Sequence, residues 1–240
     1  MRYTMSDIHA HTLFGVDDGA SSLTMSMQLL VQACREGIAD VVCASHSWGD
    51  NDSYRENFEL LEHTVKKHGL YIRIYPGCEA HCKRQGISRF IEGVKDGTIR
   101  TINEGHCLLT EFSPDARAEE ILLCSKMVHQ QTGKRIVIAH IERCRNLEKN
   151  MDAVDELQRM GCLLQLNAYS LVNETREETK NFARRLIADG RIAFLGSDSH
   201  RTDHRPPRVQ EGLRYIHETC CEDYADAVCW RNAQRYLLGR

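Results

Sequence analysis

The chain repeats one hydrophobic pattern, in which an amphipathic stretch ends at a glycine and a short apolar run follows within a few residues. Amphipathic periodicity that ends at glycine is typical of a helix, and a short continuous apolar run is typical of a strand buried on both faces. The pattern occurs five times, in CREGIADVVCAS, KHGLYIRIYPG, QTGKRIVIAH, RMGCLLQLNA and ADGRIAFLGSD. Two further runs, TMSDIH and HCLLTEF, bring the predicted strands to seven.

The first predicted helix shows the helical period clearly. Ser22 is its predicted N-cap and Gly37 its predicted end. One face of this helix carries Leu23, Met27, Leu30, Val31 and Cys34. Similar patterns predict helices over about 54–68, 115–132, 150–160, 173–189 and 222–238. The stretch 83–104 is weakly patterned and leaves both a helix and a loop open.

Strands that alternate with helices predict parallel βαβ units, which close either as a doubly wound open sheet or as a barrel. An open sheet usually begins with a glycine-rich first turn, whereas the first turn here reads HAHTLFGVDDG. The pattern therefore favours an α/β fold built as a (β/α) barrel of seven or eight strands. Because no linker or low-complexity segment divides the chain, residues 1–240 are predicted to form one domain.

Composition and charge limit the expected partners and cellular compartment of the protein. The net charge is -3 and no dense basic cluster occurs, so nucleic acid is not a favoured partner. The N-terminus lacks an apolar signal segment, and no window reaches the roughly 18 apolar residues of a membrane span. The 11 cysteines are odd in number and lie in apolar runs, where we expect buried thiols in a reducing compartment. We therefore expect a cytoplasmic protein without direct membrane insertion.

Almost every predicted strand ends in a side chain that can bind a metal ion. In strand order these are Asp7, His9 and His11, followed by Asp17 and Asp18; then His46; Glu79; Glu111; His140; Gln165 and Asn167; and Asp198 and His200. In a barrel all of these ends lie on one rim, so the side chains are expected to converge. Imidazoles and carboxylates without a local CxxC are the ligands of Zn²⁺, Mn²⁺ or Fe²⁺.

A single such residue would usually be a satisfied polar side chain or a helix cap. Two pairs with the same spacing, His9-x-His11 and Asp198-x-His200, place two ligands on one side of an extended segment. Together with the other strand ends they predict a multinuclear metal site. His81 and His106 lie near the presumed rim but not at predicted strand ends, and stay unassigned.

The motifs DIHAHTLFGVDDGA, CASH, PGCE, LLTEFS, VIAHIERC, GCLLQLNAYS and GSDSH, followed by RPP, resemble those of the polymerase-and-histidinol-phosphatase (PHP) superfamily. They are most similar to its branch of manganese-dependent protein-tyrosine phosphatases, which are encoded in bacterial capsule and exopolysaccharide operons. This resemblance runs over essentially the whole chain. It implies a distorted TIM-like barrel, the PHP fold, that binds three divalent metal ions. Mn²⁺ is the implied metal, with Fe²⁺ or Zn²⁺ as alternatives.

The resemblance also implies a role for each matching position. The implied ligands are, for the first ion, His9, His11, Glu79 and Asp198; for the second, Glu79, Glu111 and His140; and for the third, Asp18, His46 and His200. Other PHP branches commonly have histidine at the positions of Asp18 and Glu111, so these carboxylates favour the tyrosine-phosphatase branch. Arg143 and Arg205 match the phosphate-binding arginines of the family.

Without the resemblance, the two arginines would be interpreted differently. Arg143 would be a surface cation paired with Glu142 or Glu148, and Arg205 would be a loop cation.

The implied activity is hydrolysis of phosphotyrosine on a protein. The implied substrate is the tyrosine-rich tail of a bacterial tyrosine kinase that controls polysaccharide export. A PHP phosphoesterase acting on a small metabolite such as histidinol phosphate, or a 3′-5′ exonuclease, is the alternative enzyme. A metal-binding scaffold that docks the kinase is the non-enzymatic alternative. The sequence leaves the oligomeric state open.

Cysteine-dependent tyrosine phosphatases carry a C-x5-R motif, and two segments here satisfy it. The first starts at Cys78 and the second at Cys229. A phosphate cradle needs small residues that turn their N–H groups toward the anion. In the first segment a like charge, Glu79, follows the cysteine, and the second segment lies in a helical pattern, so a cysteine nucleophile is not favoured.

Overall fold

The computed structural model describes residues 3–47, 51–173 and 176–239. Within these ranges seven parallel strands follow one another around a barrel in chain order. The strands are β1 (Met5–Ala10), β2 (Ile38–His46), β3 (Arg73–His81), β4 (Cys107–Glu111), β5 (Arg135–Ile138), β6 (Leu163–Asn167) and β7 (Phe194–Gly196). The predicted barrel is therefore confirmed with seven strands.

The barrel closes between β1 and the chain that follows β7. The N–H of Asp198 donates to the carbonyl oxygen of His9 at 2.7 Å, and the N–H of His11 donates to that of Ser199 at 2.7 Å. These bonds lie at the carboxyl ends of the strands. The closure thus fixes the backbone from which the HxH and SDSH motifs project.

Helices alternate with the strands around the outside of the barrel. They are α1 (Leu23–Arg35), α2 (Asn51–Lys67), α3 (Ile87–Asp96), α4 (Ala118–Thr132), α5 (Arg145–Glu148), α6 (Met151–Arg159), α7 (Glu177–Ala188), α8 (Gln210–Thr219) and α9 (Glu222–Asp226). Ser22 caps α1 as predicted, because its side chain accepts a hydrogen bond from the N–H of Met25. Of the described helices, none is long and apolar enough to cross a bilayer.

Helices α5 and α8 were absent from the sequence predictions: α5 precedes the helix predicted over 150–160, and α8 follows the loop that contains Arg205. Helix α3 lies in the weakly patterned stretch 83–104, for which a helix and a loop had both been left open. Helical turns at Ala227–Arg231 and Gln234–Leu238 continue α9. The predicted helix 222–238 is thus present as a sequence of shorter segments.

The two ends of the barrel differ in chemical character. The C-terminal segment brings Ala233, Leu237 and Leu238 into an apolar cluster with strand residues such as Ile8 and Phe194. The carboxyl ends of the strands instead bury polar side chains, which include His9, His11, Glu79, His140 and Asp198. The buried side chains that can bind metal ions therefore gather at the carboxyl ends of the strands.

Most of the cysteines behave as the sequence predicts. All eleven are free thiols, and eight, among them Cys43, Cys107 and Cys162, are buried, whereas Cys34 and Cys220 are half-buried and Cys221 is exposed. The fold does not depend on disulfide bonds.

Candidate metal centre

The carboxyl end of the barrel gathers all nine side chains that the resemblance implies as metal ligands. They fall into four overlapping groups whose potential ligand atoms lie within 4.8 Å of one another. The groups are His11, Asp18, His46 and His200; His9, Glu79 and His140; His9, His11 and Asp198; and His46, Glu79 and Glu111. Strand ends spread along the whole chain thus meet in one place, as the barrel predicts.

Glu79 lies at the middle of this cluster and is buried. Its Oε1 lies 3.2 Å from Nε2 of His9 and 2.9 Å from Nε2 of His140. Its Oε2 lies 3.3 Å from Nε2 of His11 and 3.1 Å from Nδ1 of His46. Burial alone would raise the pKa of Glu79, but His9 and the other imidazoles hold it well below its usual range. One anionic carboxylate therefore connects four imidazoles.

Two acceptors behind the cluster fix the rings of His9 and His11. Oε1 of Gln165 lies 3.1 Å from Nδ1 of His9 and also accepts the N–H of His140 at 2.8 Å. Oδ2 of Asp17 lies 2.8 Å from Nδ1 of His11. Both Nδ1 atoms must carry hydrogen, because an amide oxygen and a carboxylate can only accept. The two Nε2 atoms therefore face the centre of the cluster.

Asp198 joins the cluster to the two arginines. Its Oδ1 lies 3.7 Å from Nε2 of both His9 and His11. Its Oδ2 lies 2.9 Å from Nη1 of Arg143 and contacts Nη2 of Arg205. Burial would raise the pKa of Asp198, but His9 and the two guanidinium groups hold it far below its usual range. This carboxylate is therefore anionic and contacts both the imidazoles and the two arginines.

The arginines are not surface cations. Among the described residues Arg143 forms no ion pair with Glu142 or Glu148; its guanidinium contacts Asp198 and the hydroxyl of Tyr169. Glu142 instead accepts from the N–H of Asn167 at 3.2 Å and from the hydroxyl of Ser170 at 2.9 Å. The alternative interpretation of Arg143 as a surface cation is therefore wrong.

Arg205 also contacts residues of the site. Besides its contact with Asp198, its Nη1 lies 3.5 Å from Nε2 of His200. Arg205 does lie in a loop, as that interpretation has it, but its guanidinium is paired with Asp198 and is not a free loop cation.

Three non-glycine residues of the site adopt left-handed backbone conformations. Their φ angles are +30° for His140, +52° for Asp198 and +59° for Arg205. Such conformations are costly for residues with a Cβ and persist where the surroundings enforce them. His140 and Asp198 adopt them just after β5 and β7, where the chain leaves the strands, and Arg205 adopts its own in the loop before α8.

The group around Asp18 is the most open part of the cluster, since the side chain of Asp18 is 57% exposed. Its Oδ1 lies 3.5 Å from Nε2 of His46 and 3.7 Å from Nε2 of His200. Burial and the neighbouring His11 lower the pKa of His200 to about 4. The His200 ring is therefore neutral near pH 7, which is the form that binds metals.

Sequence reasoning missed or misplaced several residues of the site. His81 lies at the rim, with its Nδ1 2.9 Å from Oε2 of Glu111. Its spacing of two from Glu79 was a signal, because both side chains then leave β3 on the same side. Tyr169 gave no signal, because only the fold brings it to Arg143. His106 precedes β4 and lies exposed at the opposite end of the strand, so its placement near the rim was wrong.

Neither C-x5-R segment forms a phosphate cradle. Cys78 lies within β3 and Cys229 within a helical turn, and both are buried. Burial raises the pKa of each thiol to about 12. These cysteines are therefore neutral and cannot serve as nucleophiles.

The fold and the cluster define a class: a (β/α) barrel with imidazoles and carboxylates gathered at the carboxyl ends of its strands. The family model described as "Capsular polysaccharide synthesis, CpsB/CapC" matches residues 5–238. The chain belongs to the CpsB/CapC family.

Curated relatives carry consistent names. The chain is 30% identical over 243 residues to "Tyrosine-protein phosphatase CpsB" of Streptococcus agalactiae serotype III (strain NEM316), covering 97% of this chain and 98% of the relative. It is 32% identical over 212 residues to "Putative tyrosine-protein phosphatase CapC" of Staphylococcus aureus, covering 84% and 79%.

Solved structures share the fold. The structure described for YwqE from Bacillus subtilis and CpsB from Streptococcus pneumoniae, "unique metal-dependent tyrosine phosphatases", aligns with a TM-score of 0.85 at 24% identity, covering 98% of this chain and 94% of that one. A histidinol phosphate phosphatase from Lactococcus lactis aligns with a TM-score of 0.58 at 13% identity, covering 89% and 94%. At these identities the likeness concerns the fold alone.

Proposed function

We propose that this protein is a metal-dependent phosphatase that hydrolyses phosphotyrosine on a protein. The observation that carries the proposal is the convergence of nine metal-competent side chains and two arginines at one barrel end, in a chain of the CpsB/CapC family. The names of the curated relatives, tyrosine-protein phosphatases, support the substrate class. Residues 1–240 would act as one catalytic domain.

The donor set fits divalent cations. Because the Nδ1 atoms of His9 and His11 donate to Gln165 and Asp17, the two rings in their neutral forms would direct their Nε2 lone pairs at each other across 3.3 Å. That arrangement is repulsive unless a proton or a cation lies between the rings and the adjacent carboxylates. Nitrogen and oxygen ligands without thiolates suit Mn²⁺, Fe²⁺ or Zn²⁺.

We assign ligands to three divalent ions, as the family resemblance implies, with Mn²⁺ as the preferred metal. The first ion would be held by His9, His11, Asp198 and Glu79, the second by Glu79, Glu111 and His140, and the third by Asp18, His46 and His200. When bound, such ions neutralise the charge of a phosphoester and activate water for attack.

The arginines of this chain would hold the substrate. A guanidinium presents five N–H donors in a planar fork, so each arginine retains donors for phosphate oxygens beyond its contact with Asp198. Asp198 positions both forks, and they would stabilise the charge that grows on phosphorus-bound oxygens. Arg143 and Arg205 are therefore the proposed catalytic residues.

A phenolate suits this site as a leaving group. Tyrosine ionises with a pKa of about 10, so its phenolate departs with less help from a general acid than an alkoxide would need. The natural substrate in this proposal is a phosphotyrosine protein such as a bacterial tyrosine kinase, and the family description supports a role in capsular polysaccharide synthesis. We place the reaction in the cytoplasm.

Initial rates on a phosphotyrosine peptide and on histidinol phosphate, measured side by side in Mn²⁺ and again after chelation, test the proposal. We expect fast hydrolysis of the peptide alone, lost on chelation and lost in His140→Ala. His129→Ala, in an exposed position on α4, is the matched control and retains the rate. Preference for histidinol phosphate would refute the substrate class, and a peptide rate that survives chelation would refute the metal mechanism.

A further inference from the structure

Strand β3 ends in two rim side chains, Glu79 and His81. Glu79 belongs to the metal-competent groups and His81 does not. In the parallel pairing of β3 with β4, His81 lies opposite Glu111, and the N–H of Cys82 donates to the carbonyl oxygen of Glu111 at 2.9 Å. The backbone therefore fixes the two side chains next to each other.

The two oxygens of Glu111 face different partners. Oε2 lies 2.9 Å from Nδ1 of His81, and Oε1 lies 3.6 Å from Nε2 of His140. Because the carboxylate can only accept, Nδ1 of His81 is the donor. Nε2 of His81 is buried and has no hydrogen-bond partner among the described residues. Glu111 is thus the contact that orients this imidazole.

The same arrangement recurs elsewhere in the cluster. Gln165 holds His9 and Asp17 holds His11, in each case through the atom that does not face the centre. Such outer partners fix the orientation of metal ligands, and their loss commonly lowers metal affinity by about 10- to 100-fold. His81 stands in this relation to Glu111.

We propose that His81 is a positioning residue: by occupying Oε2 of Glu111, it turns Oε1 toward His140 and Glu79, so that Glu111 offers one oxygen to the second metal ion. The inference rests on the metal centre of the proposed function, but not on which phosphoester is hydrolysed. Because His81 acts through Glu111, its loss affects the ion held by Glu111 and His140 and leaves the more exposed group around Asp18 unaffected.

Two amide substitutions separate this role from direct metal ligation. The side-chain nitrogen of asparagine can take the place of Nδ1 of histidine, whereas glutamine reaches the place of Nε2. His81→Asn should therefore keep the bond to Glu111, and His81→Gln should lose it. A direct ligand at Nε2 would give the reverse order.

Mn²⁺ binding to chelator-stripped full-length protein, measured by electron paramagnetic resonance of free Mn²⁺, provides the test. We expect His81→Ala and His81→Gln to weaken one Mn²⁺ equivalent by about 10- to 100-fold, and His81→Asn to bind nearly as the unsubstituted protein does. In a Glu111→Ala background His81→Ala should add nothing, because no carboxylate is left for His81 to orient. His63→Ala, exposed on α2, is the matched control with unchanged binding.

Unchanged Mn²⁺ binding in both His81→Ala and His81→Gln would overturn the inference, as would better retention by glutamine than by asparagine. If His81→Ala does not fold, the asparagine and glutamine variants decide the question alone. The phosphatase assay of the unsubstituted protein is independent of this result. A protein that binds Mn²⁺ in a His81-dependent way but leaves phosphotyrosine intact would refute the proposed function and retain the inference.

Discussion

Nδ1 of His11 lies 2.8 Å from Oδ2 of Asp17, and both side chains are fully buried. Asp17 is also bound by the N–H groups of Gly19 and His46, at 2.9 Å each. The carboxylate of Asp17 thus holds both the ring of His11 and the end of β2 in place. Asp17 does not face the centre of the cluster, so its contribution to the site acts through His11.

Asp17→Asn should weaken metal binding without removing a proposed ligand. An amide presents one acceptor oxygen, so it cannot accept from Gly19, His46 and His11 as the carboxylate does. We expect the affinity for Mn²⁺ to fall by about 10- to 100-fold, measured by equilibrium dialysis after chelation. Asp152→Asn, exposed at the start of α6, is the control and keeps full affinity. Equal affinities in the two variants would contradict the positioning role of Asp17.

The stability of the metal-free protein should depend on His11. Burial would lower the pKa of His11, but Asp17 and Glu79 raise it to about 10. Because the folded pKa exceeds the unfolded value of 6.5, the stabilisation is fully present below pH 6.5 and disappears as pH rises through about 10. In chelator, we expect the free energy of unfolding to fall by up to about 1.4 kcal/mol per pH unit over this window.

Urea unfolding at several pH values between 6 and 10 measures this fall. Asp17→Asn should flatten it, because one of the two carboxylates that hold the proton is lost. A metal-free protein whose stability rises over this window would show that His11 is not protonated in the folded state.

Much of the site could be predicted from the sequence because the barrel rule turns distant strand ends into neighbours. His9, Glu79 and Asp198 lie far apart in the chain, yet the repeated helix, glycine and strand pattern is enough to place them on one rim. The left-handed conformations of His140 and Asp198 could not be predicted, because neither residue is a glycine. Contacts such as that of Tyr169 with Arg143 depend on loop conformations that no hydrophobic period encodes. Helix α3 could not be told from a loop because the pattern of 83–104 is short and interrupted by glycines.

Arg143 and Tyr169 should affect catalysis to different degrees. Arg143→Ala removes a donor that would stabilise the transition state, and we expect kcat/KM for a phosphotyrosine peptide to fall by about 100- to 1,000-fold. Tyr169→Phe removes one of the two anchors of the guanidinium, so we expect KM to rise by about tenfold or less with kcat nearly unchanged.

Steady-state kinetics in saturating Mn²⁺ distinguishes the two effects. Arg214→Ala, exposed on α8, is the control for removal of a positive charge. A loss of kcat in Tyr169→Phe as large as that in Arg143→Ala would mean that the tyrosine hydroxyl acts on the reacting group itself.

Gly196, the last residue of β7, leaves no room for a side chain beside the metal centre. A Cβ at this position would lie 2.7 Å from Nε2 of Gln165 and 2.7 Å from Cβ of His9, both fully buried. Gly196→Ala must therefore shift Gln165 or His9, and we expect the contact between Oε1 of Gln165 and Nδ1 of His9 to weaken. We expect a loss of about 1–3 kcal/mol in the free energy of unfolding from overpacking, together with weaker Mn²⁺ binding.

The double variant Gly196→Ala, Gln165→Ala separates the two losses. Removing the Gln165 amide relieves one of the two close contacts, so part of the stability should return in urea unfolding. Mn²⁺ affinity should stay low, because Nδ1 of His9 has lost its acceptor and the ring is no longer held with Nε2 toward the centre. Gly93→Ala, whose Cβ would lie nearest to the Ile99 side chain, at 3.1 Å, is the control with unchanged affinity. Recovery of full Mn²⁺ affinity in the double variant would show that Gln165 does not position His9.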